Sequence, residues 1–146
     1  MKATDSPVIV SQLFDQSIPE VWHAITQLDA MQQWFFDCIP DFKAGIGFKT
    51  QFTITNEGRH FTHLWHIIDV IPLQKITYHW SYTEYPGSGH VIFELNEQDE
   101  QTLLTLTNTT LEDFPQDIPE FKRESAIGGW NYFIKQQLPA FLSLQK

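Results

Sequence analysis

Apolar and polar positions alternate most cleanly over Lys75 to Thr83, where Ile76, Tyr78, Trp80 and Tyr82 fall on one parity and Thr77, His79, Ser81 and Thr83 on the other. A period of two with one apolar and one polar face predicts a β-strand packed on one side and wet on the other. The same logic predicts strands at Val8–Phe14, at Phe48–Thr55 with Phe48, Phe52 and Ile54 inward, at Val91–Leu95, and at Thr102–Thr110 with Leu104, Leu106 and Asn108 on one parity. Arg59 to Val70 reads as a long strand, but apolar residues occur at both parities, so its inner face stays open. Turns are expected at Asn56-Glu57-Gly58, Pro72–Gln74, Tyr85–Gly89 and Asn96–Glu100.

Helical signals flank these strands. Ser17-Ile18-Pro19-Glu20 carries a capping box with proline in the first turn, and Val21, Ala24, Ile25 and Leu28 follow at helical spacing. Asp29 is placed to cap a second short helix ending near Trp34. Asp117-Ile118-Pro119-Glu120 repeats the first start signal and opens a long helix whose stripe is Ile127, Trp130, Ile134, Leu138 and Phe141. Within it, Pro139 should remove the bond to the Lys135 carbonyl and kink or end the helix. Gly128-Gly129 costs roughly 1 kcal/mol per glycine relative to alanine, which suggests close approach of a backbone or a bulky ring. The order β-α-α-β-β-β-β-β-α, with five strands in a meander, leaves the last helix as the element that covers their apolar face. The expected fold class is α+β, a helix-grip architecture in which a curved antiparallel sheet wraps a long C-terminal helix, formed as one domain over residues 1–146.

Composition narrows the functional classes. Aromatic residues make up 14% of the 146 positions, which suits either an aromatic-lined cavity or a bulky solid core. The net charge of −9 disfavours general binding to nucleic acid or anionic membrane surfaces. No apolar run reaches membrane-spanning length, no signal-peptide pattern opens the chain, and the lone Cys38 excludes an internal disulfide; together these point to a cytoplasmic protein.

Certain residues resemble a known family. Pro19-Glu20-Val21-Trp22 with Ala24, Ile25, Thr26 and Trp34 looks like the opening of the START-like, polyketide-cyclase-like superfamily. Asp69-Val70-Ile71-Pro72, His79-Trp80, Tyr85-Pro86-Gly87 and Gly129-Trp130 resemble the C-terminal domain of the activator of heat-shock protein 90 ATPase. The resemblance runs from about Val8 to Phe141. It implies the helix-grip fold, and a function among ligand carriers, cyclases, hydrolases and chaperone regulators. Chaperone activators of this family carry a further N-terminal domain, for which the chain leaves no room. Where the family often ends its last strand in histidine, this chain has Asn108.

The chemistry-bearing residues are sparse. His60, His63 and His66 share a strand, so His63 faces away from the other two, which lie about 20 Å apart at roughly 3.3 Å per residue. Such nitrogens cannot surround one metal ion, and they read as solvated strand histidines. No nucleophile–base motif or phosphate loop is present, and no cofactor is called for. The candidate site is the inner aromatic face: Phe52, Tyr78, Trp80, Tyr82 and Phe93, with Trp130 and Ile134 from the helix and Trp34 at a mouth. Asn108 and the tyrosine hydroxyls would supply polar contacts. This face is either a pocket for an apolar or aromatic molecule or a filled core, and Asn108 either meets a ligand or caps a backbone group. Three functions follow: a small hydrophobic ligand-binding protein, a chaperone-associated regulator, and a cyclase- or hydrolase-like enzyme using the same pocket. The oligomeric state is not readable.

Overall fold

The computed structural model describes residues 1–144. Strand β1 (Val8–Phe14) leads into helix α1 (Ile18–Thr26) and helix α2 (Leu28–Trp34). Ser17 and Glu20 close the expected capping box. The residue that caps α2 is Gln27 and not Asp29, whose carboxylate accepts from the Ala30 N–H one residue inside the helix. Five strands follow: β2 (Lys49–Asn56), β3 (Arg59–Ile71), β4 (Lys75–Tyr82), β5 (Ser88–Gln98) and β6 (Gln101–Glu112). They form an antiparallel meander, and β1 returns beside β6, giving the order β1-β6-β5-β4-β3-β2.

Two of the hairpins are tighter than the polar runs suggest. Glu57 and Gly58 both take positive φ (52° and 76°), as a two-residue hairpin turn requires. Asp99 and Glu100 do the same (51° and 66°), so Asn96–Gln98 belong to β5 rather than to a turn. Likewise Ser88 and Gly89 already lie in β5.

Strand β3 settles its own ambiguity through a bulge. Its pairing to β4 shifts between Ile67 and Asp69. Phe61, His63, Trp65 and Ile67 face inward before the bulge, and Val70 packs on the core after it. One extra residue reverses the parity, which is why both parities carry apolar side chains. Opposite the bulge, Thr77 is buried, although its parity predicted a wet position.

The C-terminal helix is more broken than its pattern implied. Pro119–Phe121 forms a single 3-10 turn, and Asp117 caps nothing there. Lys122 is extended (φ −75°, ψ 151°) and restarts the chain as helix α3 (Arg123–Asn131). A wide π-helical segment, Tyr132–Gln137, passes into helix α4 (Leu138–Ser143). Pro139 therefore neither ends the helix nor breaks it: it occupies the first turn of α4, directly after the wide turns. Trp130, Ile134, Leu138 and Phe141 are buried in the core as expected, whereas Ile127 is 37% exposed.

Candidate functional site

A cavity of about 600 Å³ lies between the concave face of the sheet and α3. It is a half-open cleft rather than a sealed void. The sheet side is built by His63, Trp80, Tyr82, Val91 and Asn108. Ala126, Gly129, Trp130 and Phe133 form the helix side, and Phe36 closes in from the end of α2. The segment between β6 and α3 crosses the mouth with Phe114, Glu120 and Phe121.

This crossing strap is held on both flanks. Phe114 and Phe121 stack 5.0 Å apart, and Phe121 meets the edge of Phe61 at 5.4 Å. The Glu120 carboxylate accepts from Arg59 Nε (2.9 Å), Arg59 Nη2 (3.0 Å) and Asn56 Nδ2 (2.7 Å). The Arg59 guanidinium holds the Glu120 carboxyl below its ordinary range.

Two glycines keep the chamber open. Gly89 sits beside a bulge where a Cβ would meet the Thr109 carbonyl oxygen at 2.7 Å, so a side chain is excluded and the wall next to Trp80 stays bare. At Gly128 and Gly129 a Cβ would meet nothing within 4 Å. The expected close approach of a backbone or ring is absent there; Gly129 instead leaves space on the cavity side of the helix.

The sequence-derived candidates divide into two groups. Trp80, Tyr82, Asn108 and Trp130 line the cavity. Trp34, Phe52, Tyr78, Phe93 and Ile134 belong to the solid core and not to the cavity wall. Trp34 is not at a mouth: it is fully buried, and its indole N–H donates to the Ala24 carbonyl at 2.7 Å. Phe93 packs between Tyr78 (5.7 Å) and Trp130 (6.1 Å). Tyr78 is sealed with its hydroxyl unpaired, as is the indole nitrogen of neighbouring Trp65.

The residue that sequence reasoning missed is His63. It is not a solvated strand histidine but only 8% exposed, on the inner face of β3. Its Nδ1 accepts from the Trp80 indole N–H at 3.1 Å. Phe52 stacks flat against its ring at 4.9 Å and 7°. Burial pushes its pKa down to about 3, partly opposed by Glu84, so the imidazole is neutral at physiological pH. Burial likewise raises the Tyr82 phenol above its ordinary range, offset in part by the Trp80 indole beside it. His60 bonds Thr55 at the exposed edge, and among the described residues no three His, Cys, Asp or Glu side chains are placed to hold one metal ion. The signal that could have found His63 was its register opposite inward Phe52 and Tyr82.

Residues 15–143 match the family described as Activator of Hsp90 ATPase homolog 1-like protein. The chain belongs to this family. Its fold is START-like, shared with solved structures of low sequence identity. DynU16, from the dynemicin biosynthetic locus, is 22% identical with a TM-score of 0.74 over 97% of this chain and 49% of its own length. The chain thus spans about half of DynU16. CalU16 from Micromonospora echinospora is 21% identical, with a TM-score of 0.61 over 95% of this chain and 77% of that one. A protein from Arthrobacter aurescens is 14% identical, with a TM-score of 0.77 over 99% and 90%. No curated protein matches the chain. Among the described residues, no helix is long and apolar enough to cross a membrane.

Proposed function

We propose that this family member holds a small, mainly apolar molecule in the cleft between its sheet and α3. The observation that carries the reading is the cavity itself: about 600 Å³, within the usual range for ligand sites, walled chiefly by aromatic side chains. Neutral polar side chains, among them His63, Tyr82 and Asn108, punctuate that wall. A few directional groups on a hydrocarbon surface orient a ligand while apolar burial supplies the affinity. The one carboxylate in the lining, Glu120, is already paired with Arg59, so the chemistry favours holding over turnover.

Native mass spectrometry of the purified protein tests this directly. A discrete small molecule released on denaturation supports the reading and gives the ligand class. An apo mass, combined with no uptake of any apolar fluorescent probe, overturns it.

A chaperone-associated role is the second reading, supported by the family to which the chain belongs. It predicts that the protein alters the ATPase rate of the chaperone; an unchanged rate at saturating protein removes it.

A further inference from the structure

The Trp80 indole N–H donates to His63 Nδ1. A nitrogen that accepts carries no proton, so the neutral ring bears its proton on Nε2. That N–H has no protein partner among the described residues. Nor is it sealed, because the only sealed and unpartnered side-chain atoms among the described residues are Trp65 Nε1 and Tyr78 OH. It is therefore a free donor in the cavity wall. Three rings pack around the imidazole: Phe52 stacks on it, Phe36 lies 5.2 Å from it, and Tyr82 meets it at 4.8 Å.

Resting on the ligand-binding reading above, we infer that His63 determines the specificity of the cavity, its Nε2–H taking the acceptor oxygen of an uncharged, flat, carbonyl-bearing molecule. Each part of that description has its own ground. Nε2–H only donates, whereas the Tyr82 hydroxyl and the Asn108 amide can donate or accept, so of these three side chains His63 alone discriminates an acceptor from a donor. Flatness follows from the rings that face the space, Phe36, Trp80, Trp130 and Phe133. Lack of charge follows from the lining, which among the described residues holds no Lys or Arg side chain and one carboxylate, while its Met1 ammonium already donates to the Phe121 carbonyl at 2.7 Å. An anion would leave water for a wall without a cationic side chain, at a cost no neutral donor offsets. Burial also keeps the imidazole from protonating in the neutral range, so the donor state does not change with ordinary shifts of pH.

Fluorenone and fluorene test the inference, since they share one flat tricyclic skeleton and differ by a carbonyl in place of a methylene. Binding to the full chain is followed by tryptophan fluorescence, which Trp80 and Trp130 report. Fluorenone should bind roughly five- to tenfold more tightly, the effect of one net hydrogen bond. A purely hydrocarbon cavity would prefer fluorene. His63→Phe should bring the ratio to about one or below. His63→Gln, whose amide can accept from Trp80 and donate to the ligand, should restore the preference. If His63→Phe does not fold, the wild-type ratio and the His63 imidazole nitrogen resonance still decide: the resonance should move with fluorenone and not with fluorene. Equal affinities, or a preference that survives His63→Phe, overturn the inference and leave the apolar cavity standing. Binding of neither compound overturns the inference, and the native mass spectrum and probe uptake then decide the cavity reading separately.

Discussion

Tyr78 and His63 sit on adjacent strands and both pack against Trp80, and burial acts on them differently because only one has a partner. The Tyr78 hydroxyl is sealed and unpaired, and its phenol is raised above the ordinary tyrosine range by burial alone. An orphaned buried polar atom costs about 1–3 kcal/mol. Tyr78→Phe should therefore leave stability unchanged or raise it by about 1 kcal/mol, read from the urea midpoint; a loss of that size would show that the hydroxyl has a partner after all. His63 keeps a partner only while neutral. Unfolded, it takes a proton near pH 6.5; folded, not until about pH 3. Between these values the unfolded state binds more protons, so stability falls as pH drops below about 6.5. At about 1.4 kcal/mol per unit, the loss should reach roughly 2 kcal/mol by pH 5. Comparing melting temperatures at pH 7.5 and 5 should show that loss in the wild type and not in His63→Gln. The sequence placed both residues on strands, but nothing in a run of residue types reveals which polar atom will find a partner. That is why Tyr78 was expected to contribute a ligand contact and His63 was left out.

A strand was legible where its alternation runs unbroken, and not where a bulge interrupts the alternation, as in β3. In β4 the inward set Ile76, Tyr78, Trp80 and Tyr82 follows a strict period of two, and the core takes it as written. In β3 the bulge at Ile67/Asp69 adds one residue, and the inward set switches parity within the strand. The C-terminal helix shows a related limit. Its stripe from Trp130 onward survives through the π segment, but Ile127 lies outside it because the helix starts afresh at Arg123. The glycine pair in α3 was recognisable as costly, yet its cause was misread: the missing side chains leave space and do not admit a neighbour. Two substitutions separate the two glycines. Gly128→Ala should stabilise by roughly 0.5–1 kcal/mol through helix propensity, with no change in ligand affinity. Gly129→Leu gains the same propensity but puts a side chain into the cavity, so it should fold at least as well and bind apolar probes at least tenfold more weakly. A Gly128→Ala variant that also lost binding would place the ligand along a different side of the helix.

For the molecule as a whole, the helix-grip arrangement follows from element order, because a one-sided meander needs a cover and the chain offers one long amphipathic segment. The void does not follow in the same way. A cavity is a matter of side chains that are missing at particular places, here Gly89 and Gly129, and of a strap, held by Glu120 on Arg59 and Asn56, that spans the mouth instead of filling it. Composition counts the aromatic residues but cannot tell a ring that lines space from one that fills it, so Phe93 and Trp130 look alike in the sequence and differ in the fold. The consequence reaches global stability. A ligand that binds only the folded cleft adds about 2.7 kcal/mol at a hundred times its dissociation constant. For a chain of this length that corresponds to a rise of roughly 5–10 °C in melting temperature. Fluorenone at that excess should produce the shift in the wild type, and Gly129→Leu should abolish it while keeping its own melting temperature. A second groove, bordered by Lys49, His66 and His79, lies on the outer face of the sheet. If the shift persisted in Gly129→Leu, the compound would be bound there or elsewhere on the surface, because filling the inner cleft cannot affect a ligand that does not occupy it.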